Sequence, residues 1–216
     1  MGRRLDQQLG VLNRKMIEMG AECELLIALS AKGLLDGNAE SAEAARAQGH
    51  RVDEMEREIE SICLKLLLQQ QPVAGDLRVI SAALKMITDM ERIGDQAEDI
   101  AEIIPYLKGR TGQECGEIRT MAEAAMKMVT DSVDAYVKQD LKLAKSVMAY
   151  DDVVDRAFER AKDRLIQLIS EHPEDGEYAM DLLMIAKYLE RIGDHAVNIA
   201  EWVEFSITGL HEGEKT

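Results

Sequence analysis

Apolar positions recur every three or four residues along almost the whole chain, which is the spacing of amphipathic helices rather than strands. Between residues 3 and 34 this spacing is kept by Leu5, Leu9, Leu12, Met16, Met19 and Cys23. Asp36-Gly37-Asn38 then marks a tight turn. A second helix is predicted over 39–71 and is ended by Pro72. A third follows over 74–108, with Leu77, Ile80, Leu84 and Ile87 as its inward stripe. Pro105 and the segment LKGRTGQECG (107–116) interrupt the pattern and divide the chain. Beyond them the plan repeats, with helices predicted over 113–138, 141–171 and 174–207. His172-Pro173 closes the fifth helix, and the tail TGLHEGEKT is expected to fray. The expected architecture is all-α, two tandem three-helix bundles spanning 1–109 and 110–216.

One stretch occurs twice. Residues 91–102 read ERIGDQAEDIAE and residues 190–201 read ERIGDHAVNIAE, identical at nine of twelve positions and offset by 99. Such a match indicates internal duplication. The two copies carry Glu91, Asp95 and Asp99, and Glu190, Asp194 and Asn198. The same offset relates Asp53, Glu56 and Glu60 to Asp152, Asp155 and Glu159. Steps of three and four place these groups along one side of a helix. On the predicted second helix, Asp53, Glu56, Glu60, Leu64 and Leu67 fall within about 80° of one another at 100° per residue. The apolar stripe of the third helix likewise runs on into Glu91, Asp95, Glu98 and Glu102, with Asp99 to one side. The acids are therefore expected to face the bundle interior.

Composition sharpens this picture. Aromatics make up 4% of the 216 residues and prolines number three, as suits a helical protein. The net charge of −15 leaves no basic stripe for nucleic-acid phosphates, so no nucleic-acid partner is expected. Cys23, Cys63 and Cys115 have no metal-binding spacing and are odd in number, which points to buried thiols in a reducing cytoplasm. No run reaches the ~18 apolar residues of a membrane span, so contact with a membrane would pass through partners.

Buried carboxylates cost several kcal/mol each unless paired or bound to a cation. Arg92 and Arg191 supply one guanidinium per motif, which does not balance five oxygen donors. A hard, oxygen-loving cation would balance them: Mg²⁺, Mn²⁺, Ca²⁺ or iron, with room for more than one ion. The competing reading is an acid-lined groove open to water and closed by arginine salt bridges. His50 and His195 are weak ligand candidates, because His195 lies about 100° round the helix from Asp194. Gly94 and Gly193, mid-helix in both copies, suggest close approach of a neighbouring helix. A carboxylate-bound metal-cluster enzyme or a metal store is the alternative function. No histidine has Glu three residues before it, which disfavours di-iron oxidase chemistry.

The paired ERIGD motifs, with PVAGDLR (72–78) upstream and the opening LDQQLGVLNRKMIEMG, resemble the PhoU family over essentially the whole chain. The resemblance implies a cytoplasmic negative regulator of phosphate uptake and phosphate-starvation signalling, not an enzyme. Its implied partners are the cytoplasmic subunits of the phosphate ABC transporter and, in bacteria, a sensor histidine kinase; a homodimer is expected. Some members bind multinuclear iron or zinc clusters through E(D)xxxD motifs at the bundle surface, and others are associated with manganese or magnesium. Carried over by position, those motifs fall on Glu91 and Asp95, on Glu190 and Asp194, on Glu56 and Glu60, and on Asp155 and Glu159. Asp53 and Asp152 lie one turn earlier, and Asp99 and Asn198 follow the motif. The change from Asp99 to Asn198, and from Glu98 to Val197, argues for unequal metal content in the two halves.

Overall fold

Each of the three prolines stands where a helix begins or ends, and most of the described residues between them are helical. A computed structural model of the chain describes residues 2–70, 72–112 and 116–210. It contains α1 (Gly2–Leu35), α2 (Ala39–Gln70), α3 (Ala74–Ile103), α4 (Gly116–Lys138), α5 (Leu141–Glu171) and α6 (Gly176–Thr208). Pro105 sits in the first turn of a 3₁₀ segment, Ile104–Leu107, so α3 stops at Ile103 rather than running to 108. Pro173 likewise opens a 3₁₀ turn, Pro173–Asp175, ahead of α6. Gly37 supplies the left-handed residue of the α1–α2 turn (φ 64°). The Asn38 side chain there accepts a hydrogen bond from the Ser41 N–H at 3.0 Å. Asp140 caps α5 in the same way, accepting from Leu143 N–H. Cys115 and the tail from His211 onward lie outside the described residues.

Helices α1–α3 form one bundle and α4–α6 the other, and the two are joined mainly by α3 against α6 and α1 against α4. The α3–α6 pair is antiparallel. Arg78 at the start of α3 reaches the Ser206 carbonyl near the end of α6, and Lys85 lies over the Trp202 ring at 5.9 Å. Further along, Asp89 meets His195. Beyond the end of α3, Arg110 forks onto Asp175 and stacks on Tyr178 at 3.6 Å. Buried side chains from all six helices make one continuous core.

The motif isoleucines Ile93 and Ile192 are both fully buried. The motif glycines are explained by contact. A Cβ on Gly94 would stand 3.2–3.3 Å from the Val52 side chain, and one on Gly193 would stand 3.3 Å from an Asp151 oxygen. The absent side chain lets α2 and α5 lie close against α3 and α6.

The inward stripe predicted from the sequence needs correction. On α2 the core face is Val52, Met55, Ile59, Cys63 and Leu66, while Leu64 is 47% exposed. On α3, Ile80 and Ile87 are buried but Leu77 is 44% exposed. The acids sharing the faces of Leu64 and Leu77 therefore line the outer α2–α3 groove, partly open to water, instead of the interior.

Candidate metal centre

The α2–α3 groove brings together Asp53, Glu91 and Asp95, one carboxylate oxygen of each lying within 4.8 Å of the others. All three are half-buried. Two come from the ExxxD stretch of α3, where a step of four stacks them on one face. Asp53 reaches them because the contact of Val52 with Gly94 holds α2 close. Arg92 bonds Asp95 at 3.1 Å and lies 3.4 Å from Glu91, leaving the cluster net negative.

Glu56 stands beside this group and accepts a weak hydrogen bond from Thr88 at 3.4 Å. Burial, with Glu60 and Asp53 adding repulsion, raises its carboxyl above the usual range. Burial also raises Glu91, with Asp95 as the next cause, and raises Glu98. Glu60 is exposed at the outer edge.

The three carboxylates fit a cation of the kind expected. Oxygen atoms on opposite sides of a Ca²⁺-sized ion are about 4.8 Å apart, and closer for smaller ions. An all-oxygen donor set matches Mg²⁺, Mn²⁺, Ca²⁺ or iron better than zinc, which favours nitrogen and sulfur. Asp53, Glu91 and Asp95 would hold such an ion, with Glu56 within reach of a second position. It would supply positive charge that binds the groove faces together.

The second half is arranged differently. Asp152 is exposed and paired with Arg156 at 3.1 Å, Glu159 with Lys162, and Glu190 with Lys187. Asp155 and Asp194 are exposed. The group they surround is Asp151, which the sequence reading missed. It occupies the position that Val52 holds in the first half, and its Oδ1 is buried without a hydrogen-bond partner. Burial first, then Asp155, Asp194 and Glu190, push its carboxyl up to about 6. The available signal was the offset of 99, which sets an acid against a core valine.

Asp99 and Asn198 lie toward the α3–α6 interface, outside the Asp53–Glu91–Asp95 group. Asn198 donates to Asp89 at 3.0 Å, sharing that oxygen with His195 at 2.9 Å. Asp99 faces the Arg191 guanidinium and Tyr188, and burial raises its carboxyl. His195 thus serves the interface.

Asp151 yields a first expectation. Its carboxyl titrates higher in the folded chain than in the unfolded one, so the native state holds the extra proton between about pH 4 and 6. Metal-free protein accordingly loses stability as pH rises through that window. At this half-open position, screening reduces the effect to about 1 kcal/mol. Asp151→Val, copying the first half, is expected to raise the urea midpoint at pH 7 and to flatten this dependence in chelator-treated protein. An unchanged pH profile would refute the assignment.

A duplicated, all-helical protein with an acidic groove on its outer face is the class that this geometry defines. The PhoU domain profile matches the chain twice, over residues 16–104 and 118–203. The chain belongs to the PhoU family. It is 35% identical over 206 residues to the phosphate-specific transport system accessory protein PhoU homolog of Clostridium acetobutylicum, covering 94% of each chain. It is 32% identical to the Pseudomonas aeruginosa homolog of the same description, covering 97% of this chain and 87% of that one. The crystal structure of PhoU from Pseudomonas aeruginosa superposes with a TM-score of 0.90, at 32% identity over 95% of this chain and 99% of that one. The phosphate transport system regulatory protein PhoU from Streptococcus pneumoniae has the same fold, with a TM-score of 0.87 over 96% and 98% of the two chains at 24% identity.

Proposed function

We propose that this protein is an accessory regulator of phosphate-specific transport that restrains phosphate uptake and phosphate-starvation signalling. The observation that carries the reading is the PhoU domain match in both halves, joined by relatives of that description along nearly the full chain. The protein acts from the cytoplasm on the phosphate ABC transporter and, in a bacterial cell, on a sensor histidine kinase. No helix among the described residues is long and apolar enough to cross a membrane, which fits attachment through such partners. Its role is regulatory, and metal held by Asp53, Glu91 and Asp95 stabilises the regulatory surface; the grouping of these three carboxylates supports that reading.

Deletion of the gene tests this. Phosphate-replete cells should then express phosphatase constitutively and accumulate phosphate, and a plasmid copy should restore repression. Unchanged phosphatase expression and phosphate content in the deletion strain would overturn the reading.

A further inference from the structure

Most large apolar side chains exposed on the first bundle lie toward the Pro72 end of the α2–α3 pair, beyond the acids. Leu68 is 83% exposed, Val73 70%, Leu64 47% and Leu77 44%. Leu67 and Leu84, packed half-buried against the core, complete the floor between them. Because α2 and α3 run antiparallel, with Val52 against Gly94 and Glu56 against Thr88, Leu68 on the outer face of α2 lies level with Leu77 on α3. The other end of the groove carries Asp53, Glu56, Glu60, Glu91, Asp95 and Glu98, against the cations Arg57 and Arg92. Arg92 is already engaged by Glu91 and Asp95. Lys65, the next cation, lines the opposite side of α2 beside Gln8 and Val11. Among the described residues neither Glu56 nor Glu60 makes an ion pair. The groove is thus polarised along its length, apolar then acidic, over the fifteen residue steps from Asp53 to Leu68, roughly 22 Å at the α-helical rise.

We infer that this groove is the docking site for a basic amphipathic helix of about four turns on a partner protein. Its apolar residues sit on Leu64, Leu68, Leu77 and Leu84, and its Lys or Arg side chains meet Glu60 and Glu56. Charge complementarity selects this occupant. A wholly apolar segment would leave the acids desolvated and unpaired, and an acidic one would be repelled. A second copy of this chain would bring the same acids opposite one another if it packed groove to groove. The inference rests on the transport-accessory reading and names the chemistry of the partner segment.

The test uses the full-length protein in chelator-containing buffer and a fluorescein-labelled sixteen-residue peptide. Leucines at helical spacing occupy half of the peptide and lysines the other half. A scrambled peptide of the same composition is the control. Fluorescence anisotropy should give binding in the low micromolar range, at least tenfold tighter than the scrambled control. Leu68→Glu with Leu77→Glu, both at exposed positions, should weaken it tenfold or more. Glu60→Lys should also weaken it, without change in the helical circular dichroism. Equal binding of the scrambled peptide, or indifference to both variants, would overturn the proposal. So would a dimer-to-monomer shift in Leu68→Glu/Leu77→Glu on sedimentation, which would assign the leucines to self-association. Binding to zwitterionic vesicles through the same leucines would assign them to a lipid surface and equally overturn it. Complementation separates the two readings. If the wild-type gene restores repression in the deletion strain and the Leu68→Glu/Leu77→Glu gene does so equally, docking fails while the regulatory role stands.

Discussion

Ile93→Ala and Ile192→Ala are each expected to lower the midpoint of one and the same denaturation transition, by about 3 kcal/mol in stability. Both side chains are fully buried, one at the same point of each ERIGD motif. Truncation to alanine removes three carbons from a close-packed site that can collapse only in part. A loss of this size is a large fraction of the roughly 5–15 kcal/mol that holds a typical domain folded. The sharper content of the prediction is that both variants act on a single transition. The apolar core is continuous from α1 to α6, and the pairing of α3 with α6 is as much a part of it as any contact within a bundle. Residues 1–109 and 110–216 are then repeats of sequence and shape but one cooperative folding unit. Urea unfolding followed by circular dichroism and by Trp202 fluorescence would report coincident curves in wild type and both variants. Two resolved transitions, each moved by only one variant, would show that the halves fold independently.

Helical periodicity made the architecture legible in the sequence, and the duplication made its symmetry legible. Predicted helices two and five agree with α2 and α5 to within a residue or two, because Pro72 and the His172-Pro173 pair leave little freedom at their ends. The acids proved harder. A helical wheel shows which residues share a face but not which face meets the neighbours. Anchoring the α2 stripe on Leu64 and Leu67 rotated the expected core toward Asp53 and Glu60, whereas packing centres it on Val52, Met55 and Ile59. The groove between helices, half open to water, is a tertiary feature with no period of its own. Asp99 and Asn198 show the same limit: they continue the motif in sequence, yet the antiparallel α6 and α3 draw them into the interface. Asp151 is not among the acids that recur at the offset of 99, because its partner in the first half is a valine.

Protein purified without chelator or metal-affinity tag is expected to carry metal that Glu91→Ala removes and Glu190→Ala leaves in the first half. The asymmetry follows from the geometry. Asp53, Glu91 and Asp95 already place their oxygens within 4.8 Å of one another, so little rearrangement precedes binding. In the second half, Asp152, Glu159 and Glu190 each have a basic neighbour of their own, whereas in the first half the single Arg92 is shared by Glu91 and Asp95. Burial keeps the Glu91 and Glu56 carboxyls above the usual range, so the metal-free native state retains protons that the unfolded chain has released. Metal-free stability consequently falls as pH rises through that range, and metal compensates above it. A cation at a hundredfold excess over its Kd adds about 2.7 kcal/mol. For a chain of this size that is a rise in Tm of roughly 5–10 °C. The rise should be seen with Mn²⁺ at pH 7.5, shrink as pH falls toward the carboxylate range, and be lost in Glu91→Ala. Elemental analysis of the three proteins, with thermal melts across that pH range, measures all of this. Wild-type protein with no metal and no response to Mn²⁺, Ca²⁺ or iron would make the Asp53–Glu91–Asp95 cluster a solvated acidic surface. Its excess charge would then be met only by a partner's basic side chains.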